Sequence, residues 1–210
     1  MEKKTGEGKR LLKKAGLEFL DLLTGAAFPF MLMVILSSTV IGFIMYGGQD
    51  ELGIQILILV VGEALLVAAT VIFGRQNGVS AYKKTVQNAQ KRAINCTEER
   101  VLMGIGEYSL WKGAAIAVIS CVPFIIINII YSAYPNSVCE FILVYLFGWA
   151  YYPFKLMKLS PWLNFIWIAP FAAVHTAAYA YGGYKEKKNQ EILQKQNEII
   201  AEKQAKRGKK

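Results

Sequence analysis

Cysteine, histidine and proline are scarce in this 210-residue chain, at 3, 1 and 6 copies. The cysteines, Cys96, Cys121 and Cys139, are odd in number and widely spaced. They show no CxxC or Cys/His ligand spacing, which argues against a disulfide framework and a structural zinc site. Cys121 and Cys139 lie in apolar runs and read as small core residues. HExxH, GxSxG, Walker A and GxGxxG motifs are all missing, so no enzyme activity, cofactor or metal is expected. No early apolar segment with a small-residue cleavage site opens the chain, and Glu2 stands where N-myristoylation would need glycine. A cleaved signal peptide and a myristoyl anchor are therefore not expected.

What the chain has in plenty is apolar sequence and positive charge. It is 54% hydrophobic with mean hydropathy +0.33 and net charge +9, from 24 Lys and Arg against 15 Asp and Glu. The charges stand in blocks between long uncharged runs, the pattern of a polytopic membrane protein. A soluble enzyme, a secreted disulfide scaffold and a disordered polybasic chain are all excluded.

Four runs are expected to span the membrane: about 26–46, 54–73, 113–132 and 163–181. Each can cross roughly 30 Å of hydrocarbon at about 1.5 Å per residue. The second is broken only by Glu63, and the third carries Pro123 as an expected kink. Charge sets the orientation. Residues 1–25 hold six basic and four acidic groups, residues 74–112 seven and three, and residues 184–210 nine and four, whereas the 47–53 loop holds only Asp50 and Glu51. Lysine and arginine mark the cytoplasmic side, so both termini and the basic loop 74–112 are expected inside. The remaining apolar run, 138–154, carries Glu140 and ends in Trp149-Ala150-Tyr151-Tyr152-Pro153-Phe154. It is expected as an outer-face interfacial or re-entrant helix, because a fifth crossing would put the basic tail outside.

The chain reads as two tandem copies of one two-span unit. Gly16-Leu17-Glu18-Phe19 and Thr24-Gly25-Ala26-Ala27 lead into the first span, as Gly106-Glu107-Tyr108 and Lys112-Gly113-Ala114-Ala115 lead into the third. The exits match as well, with Gly74, Gly78 and Tyr82 after the second span and Gly182-Gly183-Tyr184 after the fourth. Each exit runs on into a polar helical stretch. Copies inserted from the same side are related by an axis along the membrane normal. The expected fold is thus all-α: a cytoplasmic amphipathic lead-in at 1–25, a membrane domain at 26–183 and a basic cytoplasmic helical tail at 184–210.

Two residues stand out chemically. Glu63 falls about 14 Å into the second span, where a carboxylate is costly and points to function. His175 lies in the last span and could exchange protons or pair with Glu63. Their competing readings are structural: a carboxyl hydrogen-bonded to a neighbouring helix, and a neutral histidine bonded to the backbone. Ser37, Ser38, Thr39, Asn128 and Asn164 read as hydrogen-bonding groups between helices. In the tail, Ile192, Leu193, Ile199 and Ile200 recur over two heptads, too few for a stable coiled coil, and the distal AKRGKK is expected to be disordered. Two functions follow. The first is a non-enzymatic subunit, scaffold or accessory factor acting through helix association. The second is a small proton- or cation-coupled transporter or channel that uses Glu63, with His175. The expected partners are a bilayer with anionic lipids at its cytoplasmic face and a homodimer or larger membrane complex, with no nucleic acid. The expected location is a plasma membrane, bacterial by the short loops.

Overall fold

A computed structural model describes residues 2–47, 51–94 and 96–207. The Gly47-Gly48 turn and residues 48–50 of the loop after the first span lie partly or wholly outside them. The described residues form helices and connecting turns only: α1 Glu2–Gly47, α2 Leu52–Ala93, α3 Glu99–Leu102, α4 Leu110–Ala133, α5 Ser137–Leu156, a 3-10 helix Pro161–Trp167 and α6 Ile168–Arg207. Five of these, not four, are long and apolar enough to cross a membrane, the extra one being α5. The 20 residues of Ser137–Leu156 reach that length because the helix begins and ends beyond the 138–154 run.

Three helices are far longer than a bilayer is thick. α1 has 46 residues, α2 42 and α6 40, about 69, 63 and 60 Å at 1.5 Å per residue. The amphipathic lead-in is therefore no separate element, since α1 runs through it and through Pro29 without a break. The polar stretch after the second span likewise continues α2 to Ala93. The second lead-in differs from the first. It is the four-residue α3 followed by a turn in which Gly104 (φ +69°) and Gly106 (φ +78°) adopt left-handed backbone. α6 stays helical to Arg207, through the start of the stretch expected to be disordered, and 208–210 lie outside the described residues.

The bundle is organised as two parallel pairs. In the first, Lys112 pairs with Glu18 at 2.8 Å, Ile116 lies 3.1 Å from where a Gly25 Cβ would stand, and the Ser120 hydroxyl donates to the Ala26 carbonyl at 3.1 Å. Residue numbers rise together, so α1 and α4 run in the same direction. In the second, Gly74 abuts His175 and Ala178 while Gly78 abuts Tyr179 and Gly183, so α2 and α6 are parallel too. Copies related by an axis along the helix direction have this arrangement. The α2–α6 seam is glycine-lined of necessity. A Cβ on Gly78 would lie 2.0 Å from the Tyr179 carbonyl oxygen, and one on Gly182 2.2 Å from that of Arg75.

α5 is bent back on itself. Phe147 breaks the helix at φ −131°, ψ 27°. Lys155 then reaches Glu140 at 2.7 Å, 15 residues away. A straight helix would hold those residues about 22 Å apart along its axis, beyond the reach of both side chains. The second arm also returns Tyr151 to Tyr131, near the end of α4, with the two hydroxyls 3.2 Å apart. The turn of this hairpin fills the middle of the bundle. Phe147 meets Phe30 and Phe124 at 6.3 and 5.6 Å between ring centroids, and Gly148 sits against Ile41 and Ser37.

Candidate functional site

The hairpin's turn brings α5 to the second helix. Trp149, one residue past Gly148, is buried against Phe124 and Phe171, at 5.8 Å to each ring. It is packed inside the bundle, whereas its aromatic neighbours in sequence had suggested an interfacial helix. Its indole lines two adjoining spaces that share Glu63 and Leu66. The larger is a half-open cleft walled by Trp149, Trp167, Phe171 and Thr70, with Val67, Pro170 and Val174 toward the surface. The smaller lies between α1 and α2, at Ser37, Val40 and Gly62. Glu63 stands between the two.

The chemistry of the cleft is uneven. Glu63 is its one ionisable lining residue, and the ion pairs among the described residues all lie elsewhere. Thr70 spends its hydroxyl proton on the Leu66 carbonyl at 2.8 Å. The indole N–H groups of Trp149 and Trp167 and the Ser37 hydroxyl are buried without a hydrogen-bond partner. Unpaired buried donors are uncommon and costly. Here three of them belong to residues that line the same spaces as the Glu63 carboxyl. The arrangement can hold a proton on Glu63 or set a positive charge against a carboxylate and π faces.

His175 is placed elsewhere. It is fully buried, and its Nδ1 lies 3.0 Å from the Gly113 carbonyl. A carbonyl only accepts, so Nδ1 carries a proton, and Nε2 is left buried without a partner. His175 also packs against Gly74, which stands eleven residues beyond Glu63, about 16 Å along α2. The expected pairing with Glu63 is therefore not made. The 3-10 start of the last span, seven residues rising about 2.0 Å each, carries His175 only about 3.5 Å deeper than an α-helix would; the larger part of the difference comes from the α2–α6 register, which sets His175 against Gly74.

Of the five polar groups assigned to helix association, three bond across elements and two do not, Ser37 having no partner. Asn164 donates to Asn128 at 2.8 Å, and Asn128 to the Pro161 carbonyl at 3.1 Å. Ser38 donates to the Tyr145 carbonyl at 3.0 Å, whereas Thr39 bonds within its own helix to Ile35. Sequence reasoning missed the Gly74-xxx-Gly78 spacing, which was in plain view as a small-residue contact motif. It also missed Trp149 and Trp167 as cleft walls, which no local pattern marks, because they reach the cleft from separate elements, the α5 hairpin and the 3-10 helix before α6. No protein family matches the sequence, and no curated protein or solved structure is significantly similar to it.

Proposed function

We propose that this is a membrane protein that binds and releases a proton or cation at Glu63 as part of a small transporter or channel. The observation that carries the reading is the half-open cleft at Glu63, which holds a carboxyl with no cationic partner and unpaired donors in its walls. A carboxyl kept only as packing glue would be expected to spend its hydrogen bonds on a neighbouring helix. Four crossings fit the charge pattern: α1, α2, α4 and α6 span, while α5 descends from the outer face, turns at Phe147 and returns. Both termini and the 74–112 region are then cytoplasmic, in a plasma membrane.

The test is infrared difference spectroscopy on the protein in lipid, comparing low and high pH. The expected result is a carboxylic C=O band that comes and goes with pH, is absent from Glu63→Gln and shifts in Glu63→Asp. A spectrum in which Glu63→Gln changes nothing would mean that the carboxyl never exchanges a proton with water, and the reading would fall.

A second reading, association within a larger complex, rests on the far half of α6. Beyond Gln190 every residue with a described side chain is exposed, including Ile192, Leu193, Ile199 and Ile200 at 46–52%. Crosslinking in membranes between cysteines placed at Ile199 in two copies would support a homodimer held there.

A further inference from the structure

We infer that the cation accepted by the Glu63 cleft is organic and lipophilic, entering from the side through the bilayer; this rests on the transport reading above. The first reason is the ligand supply. A hard inorganic cation needs about six oxygen ligands to replace its hydration shell. The side chains of the cleft offer only the Glu63 carboxylate and the Thr70 hydroxyl as oxygen ligands. A bare metal or alkali ion would stay underligated there. A cation whose charge is spread over carbon needs no such shell.

The second reason is the nature of the walls. Trp149, Trp167 and Phe171 present three aromatic rings to the same space as the carboxylate, and the rest of the lining is Leu66, Val67, Pro170 and Val174. Aromatic faces attract alkyl or aryl ammonium and phosphonium groups, most strongly where water is excluded. The third reason is access. Val67 and Pro170 at the rim are exposed on the apolar outer surface of α2 and α6, so the mouth opens where lipid chains lie. Charge balance follows without any further partner. The neutral carboxylic acid gives up its proton as the cation arrives, the site gains one positive charge and loses one, and the proton leaves to water.

The experiment is equilibrium binding of radiolabelled tetraphenylphosphonium to the purified full-length protein in detergent, in weak buffer so that proton release is read in parallel. Saturable binding with about one proton released per cation is expected. Glu63→Gln should abolish it, and Trp149→Ala should weaken it about tenfold or more, as the loss of a desolvated aromatic face implies. Sodium chloride should not compete beyond its ionic strength. Val67→Trp, one helical turn from Glu63, fills the mouth while leaving the carboxyl in place; it should lose tetraphenylphosphonium binding while keeping the pH-dependent infrared band. If the infrared band titrates but the cation fails to bind, or binds equally to Glu63→Gln, the organic-cation inference falls and the proton-site reading stands. If the band does not titrate, both fall.

Discussion

At the residue scale, the sharpest test of packing at the basic end of the bundle is Lys112. Its side chain is 7% exposed and its partner Glu18 17%, with the ion pair at 2.8 Å. Removing one member leaves the other charge without its partner in a largely water-free setting, a change worth roughly 3 kcal/mol. Lys112→Met should therefore lower stability by about that amount, whereas the double variant Glu18→Gln with Lys112→Met should recover most of it, as read by thermal unfolding in detergent. No recovery would mean that Lys112 acts through its aliphatic stem rather than its charge. Glu18 was legible in sequence only as part of a lead-in pattern. Its partner was invisible because the pair joins residues 94 positions apart, across two helices.

At the element scale, the α2–α6 seam decides which glycines matter. Gly78 and Gly182 touch backbone carbonyls of the opposing helix, and a carbonyl cannot move aside as a side chain can. Gly78→Ala should therefore destabilise by about 1–3 kcal/mol, the usual cost of overpacking. Gly16, with nothing within 4 Å of its added Cβ, is the control. Gly16→Ala should be neutral or stabilise by up to about 1 kcal/mol from helix propensity. Melting temperatures of the two variants in the same detergent check both signs, and equal effects would refute the seam. The helices themselves were readable in sequence, since long uncharged runs leave few alternatives in lipid. Their true ends were not, because polar residues extend a helix as readily as they end a span. α5 shows the other failure. Its composition carries it over the threshold for a crossing, and only the break at Phe147 and the Glu140–Lys155 pair reveal the hairpin.

At the scale of the whole molecule, orientation is open to direct measurement. In a background free of the three native cysteines, single cysteines at Asn136, Ser160 and Lys203 should separate the alternatives. Impermeant thiol reagent added to intact cells should label the first two, and only inverted vesicles should expose the third. Labelling of Lys203→Cys from outside would make α5 a true crossing and put the tail outside. The charge blocks make this topology an expectation from sequence; the meeting of hairpin, second helix and last helix at Glu63 was not legible there, because three-way contacts leave no periodicity in any one of them.

The parallel seam has a mechanical consequence. α2 and α6 touch backbone to backbone at Gly74, Gly78, Gly182 and Gly183, yet the same two helices stand apart around Glu63 and Trp167. Beyond the seam on the other side, both continue as long helical shafts, to Ala93 and Arg207. The two helices share the most extensive contact between described elements, with the glycines as its closest approach. Any change that spreads the shafts must therefore work against that seam before it reaches the walls around Glu63.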